Sequence, residues 1–558
     1  MAAVAVPAPS SAGAPRWLRG PGSDLLLGAG LVYVPVLLAL AVAGGSIQSV
    51  LPLGLMPILL LATQTPHLGA TLLRVYEQPE TRRRYALFAV WITALLAVAF
   101  AVGLYQVAVG SLLVTLYLTL TPWHFTGQNY GIALVFLRRR GIEVDPRLKR
   151  YVYASFVISV ALFLLVLHSD RGPVEYAPVT AQGTIYTFYS LGIPLPVRDL
   201  LLVAGAIAWV WVTGEALVRL FERASLRELL PTLALFFTQA LWFMLPILSY
   251  FFAPLAKIEA IGPTQQAYTF LWILAAHSVQ YLWITSYYVR RERPGVSDGA
   301  FVGKALLAGA AVYGLPVLLL APGVLGRVPY DAGLAVLVGS AFSLHHILLD
   351  SAIWKLRDGR IARILLGGAS APEGTAAPLR PRFGLRNLVW ASGAVGAVLV
   401  VSAALLEFDF ARALAGGDVG RAAARTQLLG TLGRDSAQLR SELGFAKAQH
   451  GDVPGALAEL ERSVALLPTS PAYLNLGLLL EQQGRTGEAL GAFDAAAALD
   501  PVDPRAPHFA GRAALRAGMA ERARGYLERA AELAPEDAEI RALRREAGAP
   551  ARTAATAR

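Results

Sequence analysis

Five of the eight histidines in this chain, His67, His124, His277, His345 and His346, fall inside long apolar runs. An imidazole in such a run is costly unless it faces a polar interior, and ionisable residues inside membrane segments are functional candidates by default. The chain has no cysteine, which excludes thiolate ligands and cysteine nucleophiles. Imidazoles with one carboxylate nearby, Asp350, suit a divalent transition metal. Iron is expected if the task involves dioxygen, with zinc or copper next. A relay passing protons between the same imidazoles is the metal-free version. The sequence names no catalytic residue beyond this set.

Each histidine has polar company at helical spacing. Gln64 lies three residues before His67, Gln128 four after His124, Gln280 three after His277 and Asp350 four after His346. These spacings put each pair on one helix face, so the four side chains are expected to orient the imidazoles by bonding their second ring nitrogen, with Asp350 alternatively a carboxylate ligand itself. His345 and His346 point about 100° apart on a helix, so one of them is expected to face the site. Pro66 and Pro122 each free a backbone carbonyl and can open space beside His67 and His124, with Thr65 and Thr121 placed to take up freed groups. The plainer reading of any single histidine is an interhelical hydrogen bond.

The elements that must carry these residues are membrane helices. The composition is 55% hydrophobic and 16% charged, with a mean hydropathy of +0.52, which points to a polytopic membrane protein. Eleven apolar runs approach the roughly 20 residues needed to span a bilayer: 24–44, 50–73, 85–108, 109–137, 151–167, 198–219, 229–253, 265–289, 301–321, 331–353 and 386–406. All five histidines lie in even-numbered runs, 7 to 14 residues before the first basic residue at one end. Four helices thus bring imidazoles to one broad layer.

Net charge is +11, and all of the excess lies before residue 387. The N-terminal tail and the loops after even-numbered runs hold 26 of the 30 basic residues there; the other loops hold Arg171, Arg198, Lys257 and Arg327. That alternation is a topology signal, not a nucleic-acid footprint. It predicts a cytoplasmic N-terminus and an extracytoplasmic C-terminus. Only five of the 49 basic residues are lysine, in keeping with a GC-rich bacterial coding bias, and the inner membrane is the expected location. Residues 1–22 form a tail and 23–406 the membrane domain. In the segment after His346, Trp354, Lys355, Arg357, Arg360 and Arg363 suit a membrane interface.

From residue 407 to 558 the texture is helical and rich in Ala, Leu, Glu, Arg and Gly, and it repeats. Leu443-Gly444, Ala456, Leu460, Ser463 and Pro468 recur as Leu476-Gly477, Ala489, Phe493, Ala496 and Pro501, then as Ala510-Gly511, Ala523, Leu527, Ala530 and Pro535. This pattern resembles tetratricopeptide (TPR) repeats, over about residues 437–536, and a degenerate unit precedes it at "GGDVGRAAARTQ". The resemblance implies an α-solenoid that binds a protein or peptide. The expected fold is therefore all-α, a bundle of about eleven spans followed by a TPR solenoid.

Isolated histidines on several spans, one in the Pro66-His67 step, resemble the bacterial Brp/Blh-type β-carotene dioxygenases. That resemblance implies a non-haem iron held by His67, His124, His277 and His346, and a lipid-soluble substrate. The chain departs from that family in its extra spans and its repeat tail. Membrane desaturases fit worse, because the residue three before His345 is Phe342. Two other classes compete: a non-enzymatic TPR scaffold or assembly factor, and a polytopic glycosyltransferase or glycan ligase. The latter expects acidic residues in the first outer loop, which reads "GGSIQS" and has none. The larger loop at 168–196 offers only Asp170 and Glu175.

Overall fold

The computed structural model describes residues 16–43, 56–170, 185–245, 247, 263–321, 325–326, 328–329, 333–356, 358–366 and 385–548. The first outer loop, and Arg171, Glu175, Lys257, Arg327 and Arg357, lie outside them. Among the described residues the chain is helical without strands; one isolated bridge pairs Ser169 with Ile193. It divides into two units, one holding residues up to Ala404 apart from short segments, the other chiefly Leu405 onward.

Helices of the first unit lie over all eleven predicted runs. They are α1 Tyr33–Ala43, α2 Met56–Tyr76, α3 Thr93–Gly103, α4 Val107–Arg139, α5 Pro146–Leu167, α6 Leu195–Phe221, α7 Leu226–Gln239, α8 Pro263–Glu292, α9 Asp298–Leu319, α10 Ala335–Ile353, the short α11 Gly359–Leu366, and α12 Leu385–Ala415. Not all eleven meet the requirements of a span. Among the described residues six helices are long and apolar enough to cross a membrane, namely α4, α5, α6, α9, α10 and α12. A seventh forms if Pro21–Gly28 and α1, bent by 57°, count as one. The count of eleven is therefore not carried by length and composition alone. Physical reasons differ between the shortfalls. α2 and α8 are long, but Gln64, Thr65, His67, Thr71 and Arg74 dilute one, and His277, Ser278 and Gln280 dilute the other. α3 with the π-helical Leu87–Ile92 before it makes only a shorter apolar helix, Leu87–Gly103.

Local signals set the helix starts. Asp145 caps α5, its carboxylate accepting from the amides of Arg147 and Leu148, with Pro146 in the first turn. Ser225 and Glu228 form a capping box on α7. Pro66 and Pro122 sit inside continuous helices. Thr65 and Thr121 do not take up the carbonyls freed at Ala62 and Leu118, as the sequence suggested: Thr121 donates to Tyr117 O at 2.6 Å and Thr65 reaches Leu60 O at 3.4 Å. Glycines let α2 and α9 touch backbone to backbone. A Cβ at Gly69 would lie 1.8 Å from Ala305 O, and one at Gly309 would lie 2.0 Å from Thr65 O. Small residues at such crossings are how membrane helices pack closely.

The second unit contains α13 Val419–Thr431, α14 Ala437–Gln449, α15 Val453–Leu466, α16 Ser470–Gln482, α17 Thr486–Leu499, α18 Arg505–Arg516, α19 Ala520–Leu533 and α20 Ala538–Gly548. Its repeat has a packing cause. Gly444, Gly477 and Gly511 lie under Leu460, Phe493 and Leu527, the residue 16 positions later each time, at 2.9, 2.5 and 2.5 Å from a built Cβ. Gly451, Gly484 and Gly518 turn the chain between paired helices with φ of 81°, 72° and 72°, a conformation that L side chains rarely adopt. Gly417, φ 74°, precedes α13 in the same way, and Asp418 caps that helix.

Candidate metal centre

The first unit brings four of the five singled-out imidazoles together. His67 comes from α2, His124 from α4, His277 from α8 and His346 from α10. One ring nitrogen from each lies within 4.8 Å of the others. The rings form a closed square in the order His67, His277, His124, His346. Neighbouring centroids are 4.9, 5.1, 5.0 and 4.2 Å apart around it, and each neighbour meets edge to face at 74–86°. His67, His277 and His346 are almost wholly buried.

Hydrogen bonding is unequal around the square. His67 Nδ1 lies 3.3 Å from Gln64 Oε1 and 3.2 Å from Ser278 Oγ. His346 Nδ1 lies 2.9 Å from Thr71 Oγ1. The Thr71 and Tyr281 hydroxyls each lie 2.9 Å from Asp350 Oδ1 and 2.6 Å from each other. The indole N–H of Trp354 donates to Tyr281 Oη at 3.1 Å, and the Arg74 guanidinium lies 3.6 Å over the Trp354 ring. His67 Nε2 and both nitrogens of His277 are buried with no partner. The Nε2 atoms of His124 and His346 face each other at 3.2 Å. His277 stacks on Phe125, with centroids 4.0 Å apart.

Other predicted residues go elsewhere. His345 turns away from the square, and its Nε2 lies 3.0 Å from both Tyr76 Oη and Thr93 Oγ1. It ties α10 to α2 and α3. Gln128 and Gln280 were expected to orient imidazoles, and they do not. Gln128 donates to Gln280 Oε1 at 2.5 Å and to the His277 carbonyl; Gln280 donates to Gly28 O and Asn129 Oδ1. Long amides on adjacent helices satisfy one another more readily than either reaches a ring one turn away. Gln64 does reach His67. Asp350 does not reach the second nitrogen of His346; its Oδ2 lies 3.5 Å from Nε2, and Thr71 takes Nδ1. Sequence reasoning missed Thr71, Ser278 and Tyr281. The spacing signal is present, since Thr71 is four residues after His67 and Tyr281 four after His277, but hydroxyls at that spacing are common in helices and do not stand out as Gln and Asp do. Trp354 closes the polar chain that begins at His346.

The tetratricopeptide-repeat family matches residues 442–504 and, in a second match, residues 480–547. The C-terminal region is thus a TPR region, of a kind that engages protein partners. The chain has no match among curated proteins. The resemblance to the Brp/Blh dioxygenases rests on the histidines alone.

Proposed function

We propose that the chain is a multi-span membrane metalloprotein in which His67, His124, His277 and His346 hold one divalent transition ion. The observation that carries this reading is the set of buried nitrogens without partners, His67 Nε2 and both of His277, on a square whose ring nitrogens all lie within 4.8 Å. A buried polar atom left unpaired is rare and expensive, and an ion at the centre would take one nitrogen from each of the four rings at once. Distances agree with this: two ligands at about 2.0–2.1 Å from one ion in tetrahedral geometry are roughly 3.3 Å apart, close to the 3.2 Å between His124 Nε2 and His346 Nε2.

Iron is the ion this reading favours, in an enzyme that oxidises or cleaves a lipid-soluble substrate. When bound, such an ion supplies a Lewis acid and a site for dioxygen. The chain's own contribution is four imidazole donors held in a water-poor layer. All eleven helical segments cross the bilayer in this reading, and the location is the bacterial inner membrane. The N-terminus is cytoplasmic and the TPR region lies outside, where it recruits a protein partner.

The test is metal analysis of full-length protein purified in detergent without chelators. One equivalent of metal is expected, lost on His124→Ala or His277→Ala and kept on His450→Ala. Metal-free protein whose four histidine variants retain full activity would sink the proposal. That outcome would favour the second reading, a membrane-anchored TPR scaffold, which the TPR matches support in its own right. For topology, a reporter active only outside the cytoplasm should work when fused near residue 550.

A further inference from the structure

Resting on the metal reading, the geometry points to Thr71 as the positioning residue of the site: its hydroxyl fixes His346 with Nε2 turned to the other imidazoles and couples that ring to Asp350 as the counter-charge of the ion.

Consider where each hydrogen in the network can go. Asp350 in its carboxylate form only accepts, so it draws the Thr71 hydrogen across 2.9 Å. The Thr71 oxygen is then an acceptor with two lone pairs, one facing the Tyr281 hydroxyl at 2.6 Å and the other facing His346 Nδ1 at 2.9 Å, which meets it as an N–H donor. A proton on Nδ1 leaves the lone pair on Nε2, the nitrogen that faces His124 Nε2 at 3.2 Å. The bond at one ring nitrogen thus selects which nitrogen ligates. Tyr281, which accepts from Trp354, lies beside Thr71 at 2.6 Å and 2.9 Å from the same Asp350 Oδ1, so it braces the Thr71–Asp350 pair. Four imidazoles leave the full charge of a divalent ion uncompensated in a medium of low dielectric. Asp350 is the carboxylate that touches the square, through Oδ2 at 3.5 Å from His346 Nε2. Thr71 also shares α2 with His67, so one helix supplies a ligand and, one turn later, the group that orients a second ligand on α10.

The experiment uses full-length protein freed of metal and titrated with Co²⁺, whose visible spectrum reports ligand geometry, and then with Zn²⁺. Thr71→Val keeps shape and removes the hydroxyl. It should weaken Co²⁺ binding by about 10–100-fold, the range for loss of a partner that orients a ligand, and change the visible spectrum. Thr71→Ser should restore the affinity and the wild-type spectrum. Asp350→Asn should weaken binding while keeping a hydrogen-bonding group of similar size. Thr285→Val is the control for losing a buried threonine hydroxyl, since Thr285 bonds only the Tyr281 and Leu282 carbonyls; it should leave spectrum and affinity unchanged. If Thr71→Val binds Co²⁺ with wild-type affinity and spectrum, Thr71 positions nothing and this inference falls while the metal reading stands. Wild-type protein that binds no Co²⁺ overturns the metal reading and this inference with it. Should Thr71→Val fail to fold, Asp350→Asn decides: wild-type affinity and spectrum there would overturn the inference, and weakened binding would support it.

Discussion

The two units use glycine for the same mechanical purpose and bury polar groups for opposite reasons. In the TPR region Gly444, Gly477 and Gly511 recur in register, each admitting a bulky residue of the paired helix. The core they allow is Ala and Leu with Phe493, and buried polar side chains there are few, such as Ser463 and His508. In the first unit Gly69 and Gly309 let α2 cross α9, and Gly393 lets α12 cross α9, 2.1 Å from Leu307 O to a built Cβ, with no common register between the two crossings. The same unit buries His67, Thr71, Asn129, Gln239, His277, Gln280, His346 and Asp350. Apolar burial organises the first region, because water supplies the drive. Lipid supplies no such drive between helices, so packing contacts and polar bonds must do that work. Polar residues are thus exceptions in one unit and the organising feature of the other.

The largest effect that sharpens this contrast is expected at the square. His277→Ala removes a ring that has no hydrogen bond at either nitrogen and packs on Phe125. Bound metal should fall from one equivalent to near zero, by mass spectrometry of the purified protein, while the TPR region keeps its helicity by circular dichroism. Full retention of metal would mean that the imidazoles pack and do not ligate.

Much of this difference was already legible in the sequence, unevenly. The TPR region repeats its own solution three times, so position after position can be checked within one chain, and the glycine-under-Leu460, Phe493 and Leu527 contacts are its cause. The membrane site has no repeat. Helical spacing identified faces, and the shared depth of His67, His124, His277 and His346 identified a layer. Neither says which face of one helix meets which face of another. That is why Gln128 and Gln280, expected to face rings, bond each other, and why the spacing of Thr71 from His67 does not reveal its partners, which are 210 to 279 residues away. The span count depends on the same residues. The polar residues that build the site are the ones that lower the hydropathy of α2 and α8.

Glycine substitutions separate the two units next. At Gly309 an added methyl would meet Thr65 O at 2.0 Å, backbone against backbone, with nothing free to give. Gly309→Ala should cost about 3 kcal/mol, the upper part of the range for overpacking, and should lower metal content by shifting the helix that carries His67. Gly477→Ala meets only the Phe493 ring edge, at 2.5 Å. A ring can shift, and alanine regains roughly 0.5–1 kcal/mol of helix preference, so the net loss should be about 1 kcal/mol. Urea unfolding of residues 407–558 expressed alone, which should be soluble and helical, measures the second; detergent-phase thermal unfolding with metal analysis measures the first. Equal costs at both sites would erase the distinction between a rigid and a yielding neighbour.

The smallest expected effect is at His345, and it tests whether adjacent histidines can have unrelated roles. His345 Nε2 lies 3.0 Å from Tyr76 Oη and from Thr93 Oγ1. Both hydroxyls also have carbonyls to donate to, Tyr76 to Ala89 at 2.9 Å and Thr93 to Phe88 at 3.0 Å. Removing the imidazole therefore strands neither donor, and the loss is that of an ordinary hydrogen bond, about 1 kcal/mol. His345→Phe keeps a flat ring in the space stacked beside Tyr76, so packing changes little. Thermal unfolding should shift slightly and metal stoichiometry should not change, whereas His346→Ala, one residue on, should lose the metal. If His345→Phe loses metal as completely as His346→Ala does, the rotation of α10 assigned here is wrong, and the square must be rebuilt with His345 facing inward.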